Sequence, residues 1–283
     1  MKIVLVSIGN FQPHILEAIR NLQLFENNDI TVITEKKFFS KFEKNITLVD
    51  SSELDDYQFD TKSQLDRTFR DGFWHLCSLR LFYLYSYIKM NNLENVLHIE
   101  NDVMVYMNTD SLCSSFSVDK VYAAFDCDTR AVPDILFIPN AKAMWPIIQN
   151  YDCTTHDMAN LGRMTEFIEP LPIFPWTEIP HHVNKKYGDF NCIFDTNAIG
   201  QYLGGVDPRN IAGDTRGFIN ETCVVNYGMF KFFWIKNLKN LYVPHMSVNN
   251  TLVPIVNLHI HSKKLYDFRA DEPKEKLYIQ DVL

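Results

Sequence analysis

Glu100-Asn101-Asp102 carries the clearest chemistry in the chain: two carboxylates spaced i and i+2 where the apolar run Val96-Leu97-His98-Ile99 ends. In an extended segment residues i and i+2 share one face, so Glu100 and Asp102 can point together at a single hard cation. Asn101 turns away from the ion and is left for the donor side of a site. Two adjacent carboxylates repel each other, and a divalent ion that offsets the repulsion could also grip a diphosphate. In a loop the same triplet would be two solvated acids. The strand before it matters because α/β sheets place chemistry at the carboxyl ends of their strands. A second acidic triplet, Asp126-Cys127-Asp128, competes for the metal but follows a weaker framework and is expected in an acceptor-facing loop.

Asn257-Leu258-His259-Ile260-His261-Ser262-Lys263 is the second constellation. Read as extended chain, it puts His259, His261 and Lys263 on one face, with Leu258 and Ile260 packed inward. Two imidazoles and an ammonium there could complete a metal shell and neutralise a departing diphosphate. Two solvated edge histidines are the plainer alternative. Asp195 precedes a short helical run to Leu203 that Gly204-Gly205 stops. It either caps that helix or hydrogen-bonds a substrate hydroxyl and serves as general base in a direct displacement. Arg80 stands in an apolar stretch. Its guanidinium either snorkels to water or bonds one of the Glu100/Asp102 carboxylates or a donor phosphate.

The elements that must position these groups begin at the N-terminus. Ile3–Val6 reads as a strand covered on both faces, Ser7-Ile8-Gly9-Asn10 as a turn, and Pro13 through Phe25 as a helix with Ile15, Leu16, Ile19 and Leu22 at helical spacing. Asp29–Thr34 is a second strand ending at Glu35. Strand, helix and strand make a right-handed parallel crossover whose strand ends open on one edge, where Ser7, Gly9, Asn10, Thr34 and Glu35 could hold a nucleoside. No G-x-G-x-x-G or P-loop is present. Residues 36–64 read as a polar excursion, 67–90 as an amphipathic helix leading into the Glu100 strand, 121–125 and 135–139 as strands, and 140–150 as a helix. The proline-rich 168–182 segment reads as a wrapping surface loop, in which Trp176 either anchors the loop or stacks on a sugar ring.

With 283 residues, 46% of them hydrophobic, the chain can bury a large core, and one domain is expected over 1–283: a nucleotide-binding half (1–106) and an acceptor-side half with the C-terminal metal and phosphate segment (107–283). A formal net charge of −8 opposes nucleic-acid binding. No secretory or transmembrane segment is evident, and six scattered cysteines without C-x-x-C suit reduced thiols. These features point to a cytoplasmic protein, and the Asn, Lys, Phe and Tyr content to an AT-rich bacterial or viral source.

Glu100-Asn101-Asp102 at a strand end, the N-terminal strand–helix–strand unit and the late histidine–lysine segment together resemble the GT-A-fold, nucleotide-sugar-dependent glycosyltransferases over residues 1–265. The resemblance implies a Rossmann-like, mostly parallel α/β sheet flanked by helices. It implies transfer of a sugar from a UDP- or GDP-sugar to a glycan, glycoconjugate or protein acceptor, with Mn²⁺ or Mg²⁺. Glu100-x-Asp102 then varies the family's Asp-x-Asp motif: Asp102 is the direct ligand, Glu100 contacts ribose or supports the ion, His259 or His261 also ligates, and Lys263 holds phosphates. The glycine and Lys-Pro-Trp often found after the late histidine are missing. Two other classes stay open: a sugar nucleotidyltransferase, disfavoured by the lack of a glycine-rich N-terminal phosphate loop, and a non-catalytic carbohydrate- or partner-binding domain.

Overall fold

The computed structural model describes the chain except residues 176–178, 181, 186, 276 and 280–283. Trp176 thus lies outside the described residues. Lys2–Ser7 (β1), Ile15–Leu24 (α1) and Ile30–Thr34 (β2) form the expected crossover, with β1 and β2 parallel from Ile3 opposite Ile30 to Ser7 opposite Thr34. Thr47–Asp50 (β3) and Phe59–Lys62 (α2) follow. β3 pairs in parallel with β2, so the stretch expected to be an excursion supplies an edge strand. Its four residues are exposed or half-buried and carry no apolar run to mark them.

Phe73–Met90 (α3) starts six residues later than its periodicity predicts, because Arg70, Asp71 and Gly72 all have positive φ and break the helical path. α3 is buried around most of its girth and delivers the chain to Glu94–Ile99 (β4) and Val103–Val105 (β5). Val121–Cys127 (β6) and Arg130–Asn140 (β7) form a hairpin. Ala141–Gln149 (α4) begins where the Asn140 side chain accepts the Ala143 N–H. Asp157–Arg163 (α5), Ile168–Pro170 (β8) and the six-residue Ile199–Gly204 (α6) come next. Lys231–Lys236 (β9), Tyr242–Val248 (β10), Thr251–Pro254 (β11), Asn257–His259 (β12) and Tyr278–Ile279 (β13) complete the order.

The main sheet runs β3-β2-β1-β4-β7-β6-β8, and β7 alone opposes the other six strands. This is the mostly parallel, helix-flanked α/β sheet that the sequence implies. β4 is its middle strand, so the end of β4 opens near the centre of the sheet's edge. Alternating residues feed two cores: Ile3 and Leu5 pack toward α1 and the C-terminal strands, Val4 and Val6 toward α3 and α4. The proline-rich segment is a second correction. Its start is β8, and Leu171, Ile173 and Phe174 are buried, because the Asn184 side chain accepts the Ile173 and Phe174 N–H groups that would otherwise need water. No helix among the described residues is long and apolar enough to cross a membrane.

Candidate metal and phosphate site

Between β4 and β5 the chain turns tightly, with the Val103 N–H donating to the Glu100 carbonyl at 3.2 Å. The acidic triplet is therefore a turn rather than the end of a continuous extended run. β5 pairs antiparallel with β12, Val103 opposite His259, and the Ile260 N–H donates to the Asp102 carbonyl at 2.8 Å. That two-stranded ribbon sets the imidazole against the acids. His259 Nε2 lies 3.0 Å from Asp102 Oδ2 and 3.6 Å from Glu100 Oε2. Lys263 also contacts Asp102 Oδ2. Glu100, Asp102 and His259 are the one group of three metal-capable side chains converging this closely among the described residues.

Each member is held from behind. Arg80 forms ion pairs with Glu100 and, at 2.8 Å, with Asp157 on α5. The Asp134 carboxyl lies 3.8 Å from His259 Nδ1 and accepts from Asn257 Nδ2 at 3.3 Å. Asp195 is fully buried and accepts the N–H groups of Ala198, Ile199, Gly200 and His259 at 2.8–2.9 Å. It thereby fastens α6 to β12. Gly200 allows this approach, since a Cβ there would stand 2.0 Å from the His259 carbonyl oxygen.

Burial raises the cost of charge throughout, and the neighbours decide the outcome. It works to raise the Asp102 carboxyl, but the His259 and Lys263 charges outweigh it and hold Asp102 well below the usual range. Burial likewise disfavours the His259 imidazolium, yet Asp102 holds it well above its ordinary value. Burial pushes Asp134 up to about 7.

The donor set suits a divalent ion. An octahedral ion with ligands at about 2.1 Å puts adjacent ligands about 3 Å apart, the order of separation that His259 Nε2 keeps from the two carboxylates. The Lys263 ammonium on Asp102 Oδ2 is a cation already standing at that oxygen. A carboxyl behind the second ring nitrogen, the place of Asp134, is the usual support of a metal-bound histidine. Imidazole with two carboxylates favours Mn²⁺ over Mg²⁺, which prefers oxygen alone.

Several expected residues take other roles. His259, His261 and Lys263 do not share an extended face, because β12 ends at His259 and the Lys263 N–H donates to the Ile260 carbonyl at 2.8 Å, with Lys263 at φ +64°. His261 turns aside, its Nδ1 accepting the Asp207 N–H at 2.9 Å. A backbone N–H only donates, so the ring proton sits on Nε2 and neither nitrogen of that tautomer offers a lone pair to a metal. Asp195 as general base is corrected too, since four backbone donors occupy a carboxylate with no exposed surface. Of the alternatives open to Arg80 the structure takes the carboxylate one: it grips Glu100, and Asp157 with it, rather than presenting itself to a phosphate.

The residues expected to hold a nucleoside lie at the same sheet edge. Ser7 and Thr34 are buried, and Glu35 Oε1 accepts the Gly9 N–H at 2.8 Å, tying the β1 loop to the end of β2. Asn10 is exposed with its amide toward Asp71, and Asn101 donates to Gln12 at 3.1 Å, linking the acidic turn to that loop. Sequence reasoning missed His14. Its Nε2 is buried without a hydrogen-bond partner, and burial lowers it to about 4 against the pull of Asp102. A histidine opening the helix after the first strand was the available signal. Asp134 and Asp157 carried none, since Asp134 is a single acid in an apolar run and Asp157 is one of several polar residues between Asp152 and Asn160.

No protein-family model and no curated protein matches the chain. Among solved structures it is similar to the galactosyltransferase LgtC in complex with donor and acceptor sugar analogues, at 13% identity over 61% of this chain and 73% of that one, TM-score 0.41. It is similar to the glycosyltransferase GlyE of Streptococcus pneumoniae TIGR4, at 16% identity over 60% and 44%, TM-score 0.39. A cytidylyltransferase from Leptospira borgpetersenii serovar Hardjo-bovis matches at 11% identity over 77% and 89%, TM-score 0.40.

Proposed function

We propose that this chain is a metal-dependent glycosyltransferase of the GT-A type, moving a sugar from a nucleoside-diphosphate sugar to a hydroxyl-bearing glycan, glycoconjugate or protein acceptor. The observation that carries the proposal is the convergence of Glu100, Asp102 and His259 beside Lys263 at the edge of a mostly parallel sheet. Those three side chains would hold the ion, with Mn²⁺ favoured. When bound, such an ion stabilises charge on a leaving diphosphate. Lys263, released from Asp102, adds a positive charge for the phosphates. Arg80 pairs with Glu100 and orients it, and Asp134 and Asp195 hold His259 in place. The loop from Ser7 to His14, with Thr34 and Glu35, is read as the nucleoside side, within residues 1–106. Residues 107–283 are read as the acceptor side with the C-terminal metal and phosphate segment.

The test is thermal stabilisation by UDP, GDP and CMP with and without Mn²⁺, on wild type and Asp102→Ala. One nucleoside diphosphate should stabilise the wild type only with the ion and leave the variant unmoved. No response to any nucleotide with any ion would remove the transferase reading.

A further inference from the structure

A cavity of about 300 Å³ lies beside the candidate metal site, and His261, whose ring centroid is 6.0 Å from that of His259, is in its lining. It is bounded by the β6–β7 hairpin, α5, α6 and the loop after α6, and none of Glu100, Asp102 and Lys263 lines it. The volume is at the small end for ligand pockets and suits a ligand of one ring. Unspent polar groups surround it, four of them on Gln201, Asn197, His261 and Arg130. Gln201 Nε2 donates to Asn197 Oδ1 at 3.2 Å, which leaves Gln201 Oε1 and Asn197 Nδ2 without protein partners among the described residues. Gln201 is itself only 8% exposed. His261, with Nδ1 spent on Asp207, carries its proton on Nε2. Arg130 uses Nε and one terminal nitrogen on Asp126 and Thr222, and its second terminal nitrogen is unspent.

The charge balance narrows the occupant. Asp126 is cancelled by Arg130, and His261 is neutral in the tautomer that its Asp207 contact dictates, so the lining offers no net charge to compensate an ionic ligand. Three donors and one acceptor set beside Phe218, Met158 and Ile211 match a molecule with hydroxyls around its rim and an apolar C–H face.

We propose that this cavity binds an uncharged sugar ring, and that it is the subsite for the terminal sugar of the acceptor, chosen by Gln201, Asn197 and His261 and stacked on Phe218. The acceptor role rests on the transferase reading; the sugar site itself does not. Because the cavity is separate from the carboxylate cluster, its occupant needs no phosphate and binds as a free saccharide.

Ligand-observed NMR is the direct experiment, with glucose, galactose, mannose and N-acetylglucosamine set against glucuronate and glucosamine, on wild type, Gln201→Ala and Phe218→Ala. At least one neutral sugar should bind the wild type and the charged ones should not. Each variant should weaken binding about five- to tenfold, the loss of one neutral hydrogen bond or of a stacking contact. Asn197→Ala provides the same readout should either variant fail to fold. Absence of neutral-sugar binding, preference for a charged sugar, or indifference to all three substitutions overturns the proposal. The acceptor role is read separately from the rates of sugar transfer and of donor hydrolysis by water. Transfer should fall further than hydrolysis, through a raised acceptor KM. Equal falls would place the donor's sugar in the cavity and overturn the assignment. If no nucleotide binds with any ion, the transferase reading fails alone, and the NMR result still decides the cavity.

Discussion

Two acidic triplets leave strands of one sheet, Glu100-Asn101-Asp102 after β4 and Asp126-Cys127-Asp128 at the end of β6, and they meet opposite surroundings. Asp126 is closed off within its own hairpin, since Arg130 at the start of β7 grips both of its oxygens, at 2.9 and 2.8 Å from Nε. Asp128 points outward and pairs with exposed His182 at 2.8 Å. The two acids are thus divided between a local ion pair and the surface. At the first triplet the turn keeps both acids on the same imidazole, and their partners arrive from distant parts of the chain: Arg80 from α3, His259 from β12 and Lys263 after it. A nearby cation in sequence closes a carboxylate pair; distant partners that converge leave a set of donors that a metal cation can join.

Asp102→Ala should give the largest effect that separates the two sites. On the proposed function it removes a metal ligand, and metal-dependent nucleotide binding and transfer should fall a hundredfold or more, about 3 kcal/mol of charge stabilisation, measured by calorimetry and initial rates. An equal loss from Asp128→Ala would erase the distinction between the triplets. Arg80→Met comes next. It leaves buried Asp157 and half-buried Glu100 without their guanidinium partner and should cost about 3–5 kcal/mol in urea unfolding, whereas the more exposed Arg130 should cost less when replaced in the same way.

Gly200→Ala tests the long-range half of the comparison. Its Cβ would collide with the His259 carbonyl and push β12 away from β5, for about 1–3 kcal/mol of stability and a weakened candidate site, whereas the equivalent close approach at the β6–β7 hairpin, Gly162 against the Thr129 carbonyl, lies away from the Glu100–Asp102–His259 cluster. His98 offers a pH test of the strand that carries the first triplet. It is fully buried with Nδ1 on the Val4 carbonyl at 2.9 Å, and burial lowers it from 6.5 to about 3. The unfolded chain therefore takes up this proton first as pH falls. Stability should drop from about pH 6.5 toward pH 3, by up to about 1.4 kcal/mol per pH unit from this group. In urea unfolding at pH 7 and pH 5, that loss should be smaller in His98→Asn. Asp128→Ala should be the mildest change, within about 0.5 kcal/mol of wild type in the same assay.

Much of the frame was legible. The β1–α1–β2 unit announced itself because an apolar run followed by an amphipathic helix has little else to become; Ile15, Ile19 and Leu22 are buried as their spacing requires, while Leu16 faces solvent. β3 escaped because an edge strand needs no continuous apolar face. The site was legible in its acids and in the late histidine–lysine stretch, but not in their geometry. Alternation predicted three side chains on one face after Leu258; a turn after His259 kept Lys263 with Asp102 and sent His261 toward Asp207. Asp195 read equally well as cap or base, and only the four N–H groups around it separate the two. Asp134 and Asp157 sit at the site through packing that no local pattern encodes, and the place of His14 at the opening of α1 was its one local sign.

The sequence by itself determined the strands and helices that carry an apolar run or helical spacing of their own, β1, α1, β2, β4 and α4 among them, and that carboxylates would stand where β4 ends, because periodicity and strand polarity are local properties. The tertiary structure decided which of two acidic triplets gathers a histidine and a lysine, which histidine faces it, and that Arg80 serves Glu100. Those choices depend on pairings such as β5 with β12, between residues more than 150 positions apart. Side-chain chemistry is written residue by residue, whereas the company each side chain keeps is set by which backbones can approach and satisfy one another's hydrogen bonds.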